Sequence, residues 1–239
     1  MHMDNSQMMM LPQEYSLRLI INEKKEIQLI CTAEALEELA VGFLYNEGLI
    51  QSTADIVSLR IQREAGLIQV QVKREPSLSC AGVRVSGLGG MLLGNQPTLP
   101  YWAVERVYSR SELQICAART EACAEKYRQT GGMHCTALFE ANDLLVAYED
   151  VGRHNTLDKI AGHCLLHEIA PTDALIITSG RISSEMAAKA ARIGAAVIAS
   201  YTTPTQKAYE IAKAANLTLV GYVKREQMRI YCGEERIIG

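Results

Sequence analysis

The densest group of side chains that could do chemistry lies between two apolar runs of the chain. Residues 149–159 read EDVGRHNTLDK, with apolar segments before them at 144–148 and after them at 160–162. This pattern predicts a strand that ends in a glycine turn, followed by a helix that begins near Asn155, its N-cap. Asp158 would then lie in the first turn, where a carboxylate suits the helix dipole. Strand-to-helix turns of this kind are where α/β proteins build binding sites.

Four residues of this turn are candidates for ligand binding: Gly152, Arg153, His154 and Asn155. The alternative is a well-capped helix whose charged side chains are simply solvated. For any one of these residues that alternative is favoured, whereas the cluster as a whole favours a binding site.

Two further polar turns follow predicted strands. Ser179, Gly180 and Arg181 follow one short apolar strand, and residues 200–203 end the next. If the strands are parallel neighbours, their turns share one edge of the sheet, which is where ligands bind in open α/β sheets. The helices that follow would offer free backbone N–H groups to an anion.

Two arginines occupy similar positions in these turns. Arg153 and Arg181 each follow a glycine beside a predicted helix start. A guanidinium group there can hold a phosphate or a carboxylate through two parallel hydrogen bonds. A surface ion pair remains the alternative for each arginine.

His134 and Cys80 are the remaining candidates for chemistry. A single histidine is more often structural than catalytic, and His134 lacks the H-x-E and P-C-x-x-C pattern of a zinc deaminase, so no catalytic metal is expected. Cys80 lies in a loop rich in serine and glycine, where a thiol can reach a partner. An incidental loop cysteine is the alternative, and the residues alone favour it.

The composition excludes several classes of protein. A net charge of −3 over 239 residues argues against a nucleic-acid binder. No apolar run reaches the roughly 18 residues that a membrane span needs. The seven cysteines include no C-x-x-C pair, so we expect reduced thiols and a cytoplasmic location.

The apolar patterns divide the chain into four parts. We expect a disordered tail at 1–12, an α+β domain at 13–75, a mobile cysteine-bearing loop at 76–108 and an α/β domain at 109–239. In the first domain, Thr32 is expected to cap a helix. The second is expected to open with a helix from the cap Ser109 to about Arg128. Cys116 and Cys123, seven residues apart on that helix, are expected to face the core.

Several of these motifs resemble one known family. The chain reads TGGMH at 130–134, EDVGRHN at 149–155, DK at 158–159, SGR at 179–181 and EM at 185–186. In order and spacing these motifs resemble the formate dehydrogenase accessory sulfurtransferases, the FdhD family. The resemblance extends over nearly the whole chain from about Glu14.

The resemblance implies a fold and a function. The fold would be α/β, with a zinc-less cytidine-deaminase-like domain and a smaller N-terminal α+β domain. The protein would carry persulfide sulfur on Cys80 from a cysteine desulfurase to the molybdenum or tungsten bis-guanine-dinucleotide cofactor of formate dehydrogenase. It would act as a homodimer and would bind neither nucleic acid nor a membrane. A guanine nucleotide would bind as a mimic of the cofactor. Its cofactor-binding segment would comprise Tyr222, Val223, Lys224, Arg225, Glu226 and Gln227, in addition to His134 and the glycine turns.

The sequence departs from the family in the cysteine loop. The family usually has C-G-x-C-G, whereas this chain has Cys80 at the first cysteine and Val83 in place of the second. One sulfur nucleophile is enough for a persulfide, but an internal disulfide is not available there. The alternative function is therefore a cofactor-binding chaperone without sulfur transfer. A third possibility is an unrelated nucleotide-binding protein or a metal-dependent hydrolase on a similar fold.

Overall fold

The N-terminal part of the protein is a four-stranded sheet covered by one helix. The computed structural model describes residues 11–74, 99–103, 105–171 and 173–239. Alternating apolar residues form the strands, because every second side chain points to the same face. The elements in chain order are β1 (Tyr15–Ile21), β2 (Lys25–Cys31), α1 (Leu36–Asn46), β3 (Ile56–Gln62) and β4 (Leu67–Val72), and the sheet order is β2-β1-β4-β3.

The C-terminal part is built around a six-stranded sheet of order β11-β10-β9-β8-β6-β7. Short apolar strands such as β8 and β9 are buried along their whole length, as expected for strands covered on both faces. The elements are β5 (Tyr108–Ser109), α2 (Arg110–Cys123), α3 (Glu125–Thr130), β6 (His134–Glu140), β7 (Asp143–Asp150), α4 (Arg153–Leu166), β8 (Ala174–Thr178), α5 (Ser184–Ile193), β9 (Ala195–Ser200), α6 (Gln206–Ala214), β10 (Thr218–Gly221), β11 (Arg229–Cys232) and β12 (Ile237–Ile238).

The strand directions bring the polar turns to one edge of this sheet. Strands β8, β9 and β10 are parallel, and β6 runs antiparallel to both β7 and β8. The carboxyl ends of β7, β8, β9 and β10 therefore lie along one edge, together with the start of β6. The prediction that the turns share an edge is confirmed, but β7 and β8 are not neighbours, because β6 lies between them.

Four local predictions were wrong. Helix α1 begins at Leu36 rather than at a Thr32 cap, and α4 begins at Arg153 with Gly152 as its N-cap, which places Asn155 inside the helix. The predicted helix from Ser109 to Arg128 is two helices, because the backbone leaves helical geometry at Ala124. Cys116 is buried, but Cys123, at the end of α2, is exposed.

The two parts of the protein are joined where α1 crosses α4. A Cβ atom on Gly42 would overlap the carbonyl oxygen of Asp158, and one on Gly162 would overlap the carbonyl oxygen of Glu38. The two helix backbones therefore touch, with only glycine hydrogens between them. This close approach places α1, which covers the N-terminal sheet, directly against α4. None of the described helices is long and apolar enough to cross a membrane.

Replacing Gly42 with alanine is predicted to destabilise the protein strongly. The new methyl group meets backbone atoms of α4, which cannot rotate away. We expect a loss of about 3 kcal/mol or more in the free energy of unfolding, measured by denaturant titration. Gly131→Ala is the control: it has open space around it and a φ of +65°, so it should cost only about 1 kcal/mol. Equal losses in the two variants would contradict the packing described here.

Candidate functional site

One buried carboxylate organises the turn between β7 and α4. Asp150 is fully buried. Its Oδ2 accepts hydrogen bonds from the backbone N–H and the hydroxyl of Thr32, both at 3.1 Å, and lies 2.6 Å from the Lys159 ammonium. Its Oδ1 accepts from the Gly152 N–H and from the Asn155 amide, both at 2.8 Å. The N-terminal part, the turn and the helix are thus held by the same side chain.

Gly152 is required by space rather than by backbone conformation. A Cβ atom there would lie 2.7 Å from Nδ2 of Asn155. That amide cannot move aside, because it also donates to the carbonyl oxygen of Ile30 at 2.8 Å. Asn155 therefore fixes the path of the turn, while the side chains of Arg153 and His154 are left free of this network.

The second glycine turn lies directly against the first. A Cβ atom on Gly180 would lie 3.1 Å from Nδ1 of His134 and 3.3 Å from Cβ of Arg153. The prediction that the turns at Gly152 and Gly180 converge is therefore confirmed, and His134 lies between them. We call the residues His134, Gly152, Arg153, His154 and Gly180 the corner.

A cavity of about 190 Å³ opens at the corner. It lies at the junction of the N-terminal sheet and the β7–α4 turn. Its walls are formed by Glu14, Ile30, His134, Val151, Gly152, Arg153, His154 and Asn155. Among the residues that the structure describes, Nε of Arg153 is buried without a hydrogen-bond partner. A buried guanidinium nitrogen with an open donor suits an anionic or carbonyl acceptor.

The two histidines of the corner are held in the neutral form. Burial lowers the pKa of His154 to about 3, and the positive charges of Lys189 and Arg153 add to this effect. Burial and the charge of Arg153 also lower the pKa of His134. Nε2 of His154 lies 3.1 Å from the Ser183 hydroxyl and 3.4 Å from the Glu185 carboxylate. Because both groups approach the same ring nitrogen, the arrangement is not a hydrolytic triad, in which serine and carboxylate flank opposite nitrogens.

Other predicted residues of this edge make contacts within the protein. The Ser179 hydroxyl accepts from the Cys135 N–H at 3.0 Å and extends the pairing of β6 with β8. The Ser200 hydroxyl donates to the carbonyl oxygen of Gly180 at 2.7 Å. Arg181 is exposed at the rim. The cofactor-binding roles predicted for Asn155, Ser179 and Arg181 remain predictions.

The predicted segment 222–227 follows β10 on the same edge. The N–H groups of Tyr222 and Val223 donate to the carbonyl oxygens of Thr202 and Ser200, which ties the segment to the end of β9. Val223 is buried in the core, whereas residues 224–227 are exposed.

Two arginines stand over one aromatic ring in this region. The guanidinium carbon of Arg225 is 4.5 Å, and that of Arg229 5.3 Å, from the centroid of the Tyr222 ring. Lys224 contacts Glu121 and lies over the Tyr201 ring. Sequence reasoning did not select Arg229, because it belongs to the following strand and only the turn brings it back to Tyr222.

Sequence reasoning also missed part of the support of the corner. Thr32, Lys159 and Lys189 were not selected, although Lys159 is fully buried. The available signal was a pair of lysines within apolar helical stretches, where a charge requires a buried partner.

Cys80, the predicted sulfur carrier, lies outside the described residues. In the described part of the chain, no group of three or more His, Cys, Asp and Glu side chains is placed to hold a metal ion.

Fold and site together define a mixed α/β protein with polar turns at the carboxyl ends of its strands. The chain belongs to the FdhD/NarQ family, whose profile matches residues 12–238. It is 32% identical over 234 residues to the sulfur carrier protein FdhD of Bacillus subtilis, covering 94% of this chain and 88% of that one. With the protein of the same name from Listeria innocua the identity is 34% over 234 residues, covering 94% and 90%.

A solved structure is also similar. It is named as a formate dehydrogenase accessory protein from Desulfotalea psychrophila, and it matches with a TM-score of 0.76 and 26% identity over 95% of this chain and 90% of that one. The family resemblance and the mixed α/β fold class are therefore confirmed. The sulfur-carrier function is confirmed at the level of the family, and a chaperone without sulfur transfer is not favoured.

The neutral state of His154 predicts how stability depends on pH. The unfolded chain takes up a proton on this histidine below about pH 6.5, whereas the folded protein does so only near pH 3. The free energy of unfolding therefore carries no penalty from His154 above pH 6.5, and it falls as the pH decreases from 6.5 towards 3. Between pH 6.5 and 5, wild type should lose about 2 kcal/mol more than His154→Gln in denaturant titrations. Identical pH profiles for the two proteins would contradict this assignment.

Proposed function

We propose that this protein accepts sulfur as a persulfide on Cys80 and delivers it to a molybdenum or tungsten bis-guanine-dinucleotide cofactor destined for formate dehydrogenase. A cysteine desulfurase is the proposed donor, and the protein is proposed to act as a homodimer. The cofactor is here the cargo that is modified, and the nucleotide parts of that cargo bind along the edge that carries the corner.

The observation that carries the proposal is the arrangement of this edge. The corner offers a buried guanidinium donor of Arg153 beside two neutral histidines, in a site between the two parts of the protein. Neutral imidazoles can donate or accept, which suits phosphate oxygens and base edges alike. Gly152 and Gly180 let the two turns pack closely against Asn155, His134 and Arg153, which preorganises the corner for a ligand.

The length of the edge fits an elongated ligand. Four strand spacings separate β7 from β10 in the sheet order. At about 4.8 Å each, this gives roughly 19 Å between the β7–α4 turn and the segment at Tyr222. Arg225 and Arg229 supply positive charge at the far end. A ligand with phosphates at some distance from each other can therefore contact both ends.

The other cysteines support Cys80 as the sulfur carrier. Of the six described cysteines, Cys31, Cys116, Cys135 and Cys164 are buried, and burial raises their pKa to about 12, 11, 12 and 11. The attacking species is the thiolate, so these thiols are poor sulfur acceptors at neutral pH. The pKa of the half-buried Cys232 is also raised by burial. Cys123, exposed on α2, is the described cysteine that could compete.

The loading of sulfur onto this protein needs only one thiol. The Cys80 thiolate attacks the terminal sulfur of the donor persulfide, a new S–S bond forms, and the donor cysteine leaves as its thiolate. No electron is gained or lost overall. Val83, in place of the second cysteine of the family motif, is thus compatible with sulfur transfer.

Nucleotide binding tests the proposed edge. We expect Arg153→Ala to weaken GDP binding by about 1.5–3 kcal/mol, or roughly ten- to a hundredfold, because a charged hydrogen bond to phosphate is lost. Isothermal titration calorimetry measures the affinity. Arg18→Ala is the matched control, since Arg18 makes an exposed ion pair with Glu26 on the N-terminal sheet. Equal affinity of wild type and Arg153→Ala would place the nucleotide elsewhere.

Mass spectrometry tests the sulfur carrier. After incubation with a cysteine desulfurase and cysteine, we expect a gain of one sulfur on the peptide that contains Cys80. Cys80→Ser should abolish this gain, and Cys123→Ser should leave it unchanged because Cys123 lies on α2 and not on that peptide. Sulfur on Cys123 or Cys135, with none on Cys80, would contradict the assignment.

A further inference from the structure

The N-terminal part of the protein reaches the buried ion pair behind the corner through the side chain of Thr32. Thr32 follows β2 and was expected to cap α1, but its hydroxyl instead joins the buried ion pair. It donates to Oδ2 of Asp150 at 3.1 Å and accepts from the Lys159 ammonium at 2.7 Å. All three side chains are buried, at 6%, 0% and 0% exposure.

The two oxygens of Asp150 have separate tasks. Oδ2 holds Thr32 and Lys159, whereas Oδ1 holds the Gly152 N–H and the Asn155 amide. The carboxylate is rigid, so a change in its orientation at one oxygen is transmitted to the other. Gly152 directly precedes Arg153 and His154, so the position of Thr32 is linked to that of the two corner side chains.

A second set of contacts joins α1 of the N-terminal part to α4 and α5. The Tyr45 hydroxyl donates to the carbonyl oxygen of Arg192 at 2.9 Å. The carboxylate of Asp158 accepts from Asn46 at 2.7 Å and from Lys189 at 2.6 Å. The attachment of the N-terminal part therefore does not depend on Thr32 alone. Experiments can therefore distinguish a role of Thr32 in attaching the N-terminal part from a role of Thr32 in shaping the corner.

We propose that Thr32 and Asp150 are positioning residues for the nucleotide site, through which the N-terminal part of the protein sets the geometry of Arg153 and His154. This proposal rests on the proposed function, because it assigns the corner to a guanine nucleotide. Neither residue touches the ligand.

The test compares three variants of the full-length protein. Thr32→Val keeps the shape of the side chain but removes its hydroxyl, whereas Thr32→Ser keeps the hydroxyl. Tyr45→Phe removes a contact between the same two parts that lies away from the corner. GDP affinity is measured by calorimetry well below the thermal midpoint of each variant. We expect Thr32→Val to weaken binding about tenfold, and Thr32→Ser and Tyr45→Phe to stay within about twofold of wild type. Equal binding by Thr32→Val, or an equal loss in Tyr45→Phe, would overturn the proposal.

A second readout does not require the nucleotide. The ring resonances of His154, assigned by NMR in the free protein, should shift in Thr32→Val and stay in place in Thr32→Ser and Tyr45→Phe. Shifted resonances in a protein whose wild type does not bind GDP would overturn the proposed function and support the positioning role. Unshifted resonances in Thr32→Val would overturn the positioning role itself.

Discussion

The ion pair between Asp150 and Lys159 is the interaction on which the rest of the structure depends. Both side chains are fully buried, and the desolvation of two charges is repaid only when their remaining donors and acceptors are satisfied. Here Thr32, Gly152 and Asn155 complete the shell of the carboxylate. Removal of one partner would leave a buried charge, which costs several kcal/mol. The chain is therefore constrained to place β2, β7 and α4 in a single arrangement.

The same constraint explains why the residues of the run EDVGRHN have different roles. Glu149 accepts the N–H groups of Lys126 and Tyr127 at the start of α3, and Asp150 and Asn155 hold the turn from inside. Val151, Arg153 and His154 line the cavity without taking part in that hydrogen-bond network. A stretch that reads as one dense functional site is thus mostly scaffold, and its rigidity is what a preorganised binding site requires. The glycine contact between α1 and α4 adds to this rigidity.

Much of the fold could be predicted from local patterns, and the errors have a common origin. The apolar patterns predicted an α+β arrangement for the N-terminal part, where the structure has β1, β2, α1, β3 and β4. The convergence of the glycine turns followed from strand direction. Thr32 and Asn155 were assigned as helix caps because their side chains suit that role. In the structure, these side chains instead donate to partners far away in the chain: the Thr32 hydroxyl to Asp150, and the Asn155 amide to the carbonyl oxygen of Ile30. Tertiary hydrogen bonds outcompeted local capping, and no local pattern reports them. The insertion of β6 between β7 and β8 is likewise a property of topology.

A crystal structure of the protein with GDP would test the central claim most directly. That claim is that the carboxyl-end edge of the six-stranded sheet, fixed by Asp150, is where the nucleotide binds. The account predicts phosphate density at the corner between Gly152 and Gly180, within hydrogen-bond distance of Arg153. Nucleotide bound on another face of the protein, with the corner unchanged, would contradict it.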